Sequence, residues 1–382
     1  MRDTSMSIEH FLPTAVFDGR QLQYGVSITI ADGRVLSIGG QETRAEKLDG
    51  ILVPGFVDLQ VNGGGGVLFN DEPSVNALKT ISRAHARFGT TAMLPTVISD
   101  RLDVMQRAAD AIHEAHTQKL PGIVGVHFEG PHLSEIKRGV HAAEQLREMD
   151  QQELAIYQNE ALGHRLLTVA PEKVSAARLR QLHATSVVIS LGHSNASAAQ
   201  TMQALDAGAS GFTHLFNAMS GITAREPGVI GAALLHQGSY AAVIADGVHV
   251  ADENLQLAFR CKGAERLMLV TDAMPPVACE GGEFLLYGQP VTREGLVLRD
   301  QSGALAGSVL DMASAVRHMV ERIGVRPEQA WRMASAIPAE FIGAGHYLGY
   351  LRPGYQADMV LLDDKQQVRQ TWINGEAVFC GI

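Results

Sequence analysis

The sequence predicts an α/β protein: a (β/α)8 TIM-type barrel with a small β-sandwich domain formed by both chain ends. Three observations predict it. Eight short apolar runs alternate with longer amphipathic stretches through the middle of the chain. The two ends are strand-rich and punctuated by turns. The 382 residues exceed what a barrel of about 250 residues uses. The expected division gives residues 1–54 and 347–382 to the small domain and 55–346 to the barrel.

Each element follows from local pattern. Near the N-terminus, Val26-Ser27-Ile28-Thr29-Ile30 alternates apolar and polar residues, Ala31-Asp32-Gly33 turns, and Val35-Leu36-Ser37-Ile38 returns, which is the pattern of a hairpin. Near the C-terminus a strand is expected over 357–363 and another over 367–374, closed by Asn374-Gly375. Strand-rich ends are expected to pair into one sheet domain. The eight buried parallel strands are expected at 56–61, 91–94, 123–128, 166–169, 187–191, 211–215, 241–245 and 267–270. The clearest intervening helix is 100–119, with Val104, Ala108, Ile112 and Ala115 roughly on one face; another, 74–87, lies between Pro73 and Gly89. An open doubly wound sheet is the alternative, but it would show fewer strands and a phosphate turn. Gly63-Gly64-Gly65-Gly66 lacks the spacing of a dinucleotide fingerprint and reads as a flexible loop.

Composition excludes several functions. Lys and Arg number 31 against 41 Asp and Glu, so the formal charge is 31 − 41 = −10, with a pI near 5.8. No nucleic-acid partner is expected, since that would want a basic stripe. A small anionic substrate remains compatible, because a few local Arg and His residues suffice to bind one. The three cysteines, Cys261, Cys279 and Cys380, are far apart and show no CxxC spacing, so neither a disulfide framework nor a Cys-based zinc site is expected. The opening MRDTSMSIEHFLPTAVF has no leader-length apolar core, and no run of about 18 apolar residues exists. The expectation is a cytoplasmic protein without membrane partners.

The expected strand ends are unusually polar, and in a barrel chemistry sits there. They carry Gln60-Val61-Asn62-Gly63, His127-Phe128-Glu129-Gly130-Pro131-His132, Gly192-His193-Ser194-Asn195, Thr213-His214-Leu215-Phe216-Asn217, Asp246-Gly247-Val248-His249 and Thr271-Asp272-Ala273. One histidine at a strand end is more often a satisfied polar side chain than a ligand. Several acids and imidazoles at different strand ends are another matter, because burying them together is costly unless they pair or hold a metal. Glu129, His193 and His214 supply the three ligands of a catalytic zinc with one position left open. Such a metal lowers the pKa of its water. Asp272 then has the chemistry to take that water's proton and hand it to a leaving amine. His141, on the loop after the third strand, could polarise a carbonyl; a solvated loop histidine is its ordinary reading. Arg225, on a loop bounded by Gly221 and Pro227, suits phosphate, with His249 as a second donor. An ion pair between Arg225 and Glu226 or another carboxylate is the competing reading.

With these motifs in order, the sequence resembles the N-acetylglucosamine-6-phosphate deacetylases of the amidohydrolase superfamily over nearly the whole chain. The residues that carry the resemblance are Val53-Pro54-Gly55-Phe56-Val57-Asp58, Gln60 to Gly63, His127 to Pro131, Gly192 to Ala196, Thr213 to Met219, Arg225 to Gly228, Ala245 to His249, Val270 to Ala273, and the closing Leu351-Arg352-Pro353-Gly354 with Ala357-Asp358. The resemblance implies that Glu129, His193 and His214 hold the metal. Asp272 would be general base and acid, and His141 would touch the acetyl carbonyl. His249, Asn217, the Ala218 backbone and Arg225 would bind the phosphorylated amino sugar. It also implies that Arg225 can come from a neighbouring subunit, hence a homodimer, with a tetramer as the larger assembly. In one respect the chain departs from many superfamily members: Gln60 and Asn62 stand where those carry His-x-His. Amides ligate poorly beside imidazole, so one divalent ion per subunit is expected. Zinc fits the ligands, although iron, manganese and cobalt share them. The rival activities are deacetylation of N-acetylgalactosamine-6-phosphate, which differs at one ring carbon, and hydrolysis of a cyclic amide or nucleobase. A catalytically silent scaffold is the rival outside enzymology.

Overall fold

All eight expected parallel strands form, side by side and in chain order, in the computed structural model, which describes residues 8–40 and 42–381. They are β1 (Phe56–Val61), β2 (Thr90–Ile98), β3 (Gly125–Glu129), β4 (His164–Val169), β5 (Val188–Leu191), β6 (Gly211–Phe212), β7 (Tyr240–Val243) and β8 (Leu267–Leu269). Backbone bonds join the last strand to the first. The Asp272 N–H donates to the Gln60 carbonyl and the Asn62 N–H to the Ala273 carbonyl, both at 2.9 Å. The sheet is therefore closed, and residues on both its faces are buried, which is why these strands read as continuous apolar runs.

A helix follows each strand: α1 (Val75–Ala86), α2 (Leu102–Thr117), α3 (Gln151–Tyr157), α4 (Ala176–His183), α5 (Ala198–Asp206), α6 (Gly228–Leu235), α7 (Asp252–Lys262) and α8 (Met312–Glu321). The Ser74 hydroxyl caps α1 by accepting from the Ala77 N–H at 3.1 Å. On α2 the predicted face of Val104, Ala108, Ile112 and Ala115 is buried.

Two features differ from the sequence reading. Between β8 and α8 the chain builds a four-stranded antiparallel sheet from Glu283–Leu286, Gln289–Glu294, Val297–Arg299 and Leu305–Ser308. Its strands are short and half exposed, so their alternation is weak; a small core of its own, with Leu286, Val291, Leu298 and Ala306, packs on Leu68, Ile98 and Met274. The Gly63–Gly66 stretch is an ordered hairpin rather than a flexible loop. Gly63 and Gly64 pair with Leu68 and Val67, and the Gly63 carbonyl accepts from His85 Nε2 at 2.9 Å. A Cβ on Gly64 would come within 2.8 Å of that nitrogen, so glycine here permits close packing.

The chain ends share one mixed sheet in the order Glu376–Cys380, Val368–Ile373, Met359–Leu362, Glu46–Pro54, Ile8–Phe17, Ile28–Ala31, Arg34–Ile38, with Leu22–Tyr24 beside Ile8–Phe17. Two predicted turns form as read: Asp32 and Gly33 (φ 49° and 74°) and Asn374 and Gly375 (φ 50° and 77°) all take the left-handed backbone that two-residue hairpins demand. The edge strand Arg34–Ile38 also meets the segment that leads into Met359–Leu362, the Ala357 N–H donating to Gly33 O at 2.9 Å and the Val35 N–H to Tyr355 O at 3.0 Å. The sheet encloses a second core around Phe11, Ile28, Leu52, Met359 and Trp372. Phe17 ties this sheet to the barrel side, its ring 5.3 Å from that of Trp331. The leader reading of residues 1–17 falls partly on residues 1–7, which lie outside the described residues. Among the described residues no helix is long and apolar enough to cross a membrane.

Asp358 marks the junction. Its carboxylate accepts the Asn374 N–H at 2.7 Å, its carbonyl accepts the Gly55 N–H at 2.8 Å, and among the described residues no cation pairs with it. Burial pushes its carboxyl from 3.8 up to about 7. Between those two values the folded chain keeps a proton that the unfolded chain has released, so this group's stabilisation is lost as pH rises towards about 7. Asp358→Asn keeps the acceptor and removes the charge. Its stability relative to the parent should therefore rise between about pH 5 and about pH 8. Urea unfolding at both values checks this, and a pH-independent difference would contradict a buried, cation-free carboxylate.

Candidate functional site

Three side chains converge at the C-terminal mouth of the barrel. Glu129 is the last residue of β3, while His193 and His214 follow β5 and β6 by two residues each. Glu129 Oε1 lies 2.9 Å from His214 Nε2 and 3.2 Å from His193 Nε2, and the two ring nitrogens are 3.0 Å apart. All three residues are buried, and they form a cluster whose ligand atoms lie within 4.8 Å of one another. His193 donates from Nδ1 to the Lys137 carbonyl at 2.9 Å, which leaves a lone pair on its Nε2. A carboxylate oxygen and two ring nitrogens aimed at one point fit a divalent cation, and three ligands leave a position for water. Without a cation they share protons. Burial disfavours the Glu129 carboxylate, yet hydrogen bonds from His193 and His214 hold it well below the usual range; burial likewise opposes a proton on His214, which the Glu129 hydrogen bond and charge favour.

Asp272 sits opposite, just past β8. Its Oδ1 accepts from Asn62 Nδ2 at 2.7 Å and from Gln60 Nε2 at 3.1 Å, and Gln60 Nε2 also reaches Glu129 Oε1 at 3.1 Å. The two amides thus act as donors, Gln60 to both acids and Asn62 to Asp272, a role that sequence reasoning, weighing them only as ligands, missed. Burial, then the nearby Glu129 charge, raise the Asp272 carboxyl to about 6; a bound dication pulls in the opposite direction.

The backbone is turned sharply to aim these groups. His193, His214, Ala218 and Asp272 have φ of 46°, 33°, 50° and 53°, a region that costs non-glycine residues about 1 kcal/mol or more. Neighbours hold each turn in place. The Ser134 N–H donates to His193 O at 2.9 Å, the Asn217 N–H to His214 O at 3.0 Å and the Ser308 N–H to Asp272 O at 2.9 Å. Glu172, after β4, accepts the Ser194 hydroxyl and the Asn195 N–H, both at 2.7 Å.

His141 is buried, not a solvated loop histidine. Its Nδ1 accepts from the Ser99 N–H at 3.3 Å and from the Ser99 hydroxyl at 2.8 Å. A backbone N–H can only donate, so the ring proton resides on Nε2. Burial, then the neighbouring His193, lower its pKa to about 3, so the ring is neutral. Tyr287, from the inserted sheet, donates to the Ser99 carbonyl and closes this corner. Neither Ser99 nor Tyr287 carries a sequence signal for this role.

Glu129, His141, His193, His214 and Asp272 line one cleft of about 350 Å³, together with Asn217, Ala218 and His249, and with Ala304 and Leu305 of the inserted segment. His249 donates from Nδ1 to Asp246 at 2.7 Å, and its Nε2 is buried without a partner. Arg225 is not brought to the cleft of its own chain. It lies on an exposed loop and, among the described residues, makes no ion pair. Nor does it pair with Glu226, which instead accepts the Ala198 and Gly228 N–H groups at 2.8 and 2.9 Å. The arrangement can hold a cation, position a base beside it, donate a hydrogen bond to a carbonyl oxygen from His141 and contact a second group at His249.

Comparison with known proteins agrees with this geometry. The Amidohydrolase family model matches residues 51–378. The N-acetylgalactosamine-6-phosphate deacetylase of Shewanella sp. (strain ANA-3) is 51% identical over 330 residues, covering 86% of this chain and 84% of the relative. The N-acetylglucosamine-6-phosphate deacetylase of Vibrio furnissii is 34% identical over 97% of this chain and 94% of its own. Among solved structures, the N-acetylglucosamine-6-phosphate deacetylase from Pasteurella multocida superposes with a TM-score of 0.94 at 32% identity, covering 98% of this chain and 100% of the other.

The convergence of donors makes a direct prediction about metal. After metal depletion and reloading with zinc, the parent protein should retain the ion through dialysis, Gln60→Ala should retain it too, and Glu129→Gln should not. Equal retention by all three, measured by elemental analysis, would place the ion elsewhere.

Proposed function

We propose, for a chain that belongs to the amidohydrolase family, that it hydrolyses the N-acetyl group of N-acetylglucosamine-6-phosphate to glucosamine-6-phosphate and acetate. One observation carries this reading: the cleft has a cation-binding end at Glu129, His193 and His214, a carboxylate beside it at Asp272, and a separate contact at His249. An N-acetylated sugar phosphate presents an amide and an anion to match. Relatives whose names specify this reaction cover most of the chain.

Glu129, His193 and His214 would hold one divalent ion, for which zinc is the reading the donor set supports. When bound, such an ion supplies an acidified water and a Lewis acid near neutral pH. Asp272 takes the proton of the attacking water as the new C–O bond forms at the acetyl carbon. It returns that proton to the glucosamine nitrogen as the C–N bond breaks, so acetic acid and a neutral amine leave, the carboxylate is restored, and the acid gives up its proton to water as acetate. Gln60 and Asn62 engage one oxygen of Asp272 and leave the other available for the proton. His141 Nε2–H donates to the acetyl oxygen, where negative charge develops. His249, Asn217 and the Ala218 backbone take the phosphate end. Arg225, exposed and away from its own cleft, is proposed to complete that end in a neighbouring copy, which makes a homodimer the functional unit and a tetramer a pair of such dimers. A charged sugar phosphate does not cross a bilayer unaided, and this supports a cytoplasmic place of work.

A second reading has its own support. The relative that is 51% identical is named for the galacto epimer, so N-acetylgalactosamine-6-phosphate is the alternative substrate.

Acetate release from both sugar phosphates and from unphosphorylated N-acetylglucosamine, with zinc supplied, decides between these. The gluco phosphate should be turned over far faster than the unphosphorylated sugar. Faster turnover of the galacto phosphate would transfer the assignment to that epimer, and turnover of neither would reject both. Asp272→Asn should lower kcat by about 10²–10⁴-fold while sparing substrate binding; near-normal kcat would remove Asp272 from its role.

A further inference from the structure

The loop after β7 is built to present one atom. Asp246 Oδ1 accepts the Val248 and His249 N–H groups, both at 2.8 Å, and Oδ2 accepts His249 Nδ1–H at 2.7 Å. Both side chains are only 4% exposed. Gly247, at φ 71°, allows the turn, and a Cβ there would meet the His318 ring at 2.9 Å. His318 is itself bound to Asp252 at 2.7 Å, so the turn is packed from outside the cleft. The imidazole of His249 is thereby fixed in tautomer and orientation, and its remaining atom, Nε2, is buried without a partner in the wall of the cleft.

We propose that Asp246 is a positioning and specificity-determining residue, which fixes His249 so that the cleft prefers ligands carrying a phosphate at this end. This inference rests on the substrate reading above for the sugar, but not for the anion. With its single proton on Nδ1, a neutral ring shows a phosphate only a lone pair. Held between a carboxylate and a phosphate, an imidazolium donates one charge-assisted hydrogen bond to each anion. The carboxylate of Asp246 supplies the second anion of that pair and prevents the ring from turning its other nitrogen to the cleft. An uncharged hydroxyl at the same place gains much less from the arrangement.

Asp246→Asn keeps an oxygen for the turn and removes the charge. Inorganic phosphate binding to the intact, zinc-loaded protein, followed by calorimetry, should weaken about tenfold or more, the scale of one charged hydrogen bond. The KM for the phosphorylated sugar should rise by a similar factor and more than kcat falls. The loss of kcat/KM should be at least several times smaller for the unphosphorylated sugar. In a His249→Gln background, Asp246→Asn should add less than about twofold, because both changes disable one device. Equal losses for both sugars, unchanged phosphate binding, or the same loss with and without His249 would each overturn the proposal. Phosphate binding needs no turnover, so an Asp246-dependent phosphate site in a protein that releases no acetate would uphold this inference while rejecting the substrate reading.

Discussion

The carboxylate oxygen of Glu129 and the Nε2 atoms of His193 and His214 are aimed at one buried point, and the rest of the barrel mouth is arranged to tolerate that. Such a concentration of polar atoms is stable only when a cation or a set of shared protons reconciles them. The left-handed turns at His193, His214 and Asp272 are local costs that bring side chains from different strands to this point. They persist because the surrounding bonds over-determine them: Glu172 on the loop after His193, Gln60 and Ser308 on the backbone of Asp272. The parallel sheet contributes the rigidity, since each ligand stands at the end of a strand whose neighbours on both sides fix it.

The amides Gln60 and Asn62 at the end of β1 have a consequence for charge. Glu129 and Asp272 face one another across a narrow gap, and two carboxylates so placed repel. A second cation would relieve that repulsion. Here two neutral amides do so in part, by donating to the facing oxygens. The Asn62 hydrogen bond lowers the Asp272 carboxyl only in part against burial and the Glu129 charge, which leave it at about 6, whereas direct coordination to a second cation would hold it ionised.

How much of this the sequence displayed depends on whether a signal is local. The eight apolar runs were legible because burial on both faces of a closed sheet leaves no room for alternation. The Asp32-Gly33 and Asn374-Gly375 turns were legible because only a few residues accept φ near +50° to +75°. The convergence of Glu129, His193 and His214 was legible from residue type and strand position together. The inserted sheet at 283–308 was not, since its short, half-exposed strands draw their stability from a core shared with Leu68, Ile98 and Met274, which lie elsewhere in the chain. The burial of His141 was hidden for the same reason: Ser99 and Tyr287, distant in sequence, enclose it. The setting of Arg225 was equally invisible, because a loop bounded by glycine and proline reads alike whether it turns inward or out.

The inserted sheet explains why the cleft is more than the open end of a barrel. A bare mouth would leave the ligand trio facing water, where charge interactions are weak. Ala304, Leu305 and Gly307 of the insertion, with Met274, form an apolar wall beside Asp272 and His214, and Tyr287 closes the corner behind His141 through Ser99. A wall that excludes water strengthens the interactions on which the proposed proton transfers rely. Burial also keeps the His141 ring neutral, with Nε2–H as its donor. The same segment whose strands were too weakly patterned to read in the sequence therefore supplies part of the apolar lining of the cleft that holds the legible residues.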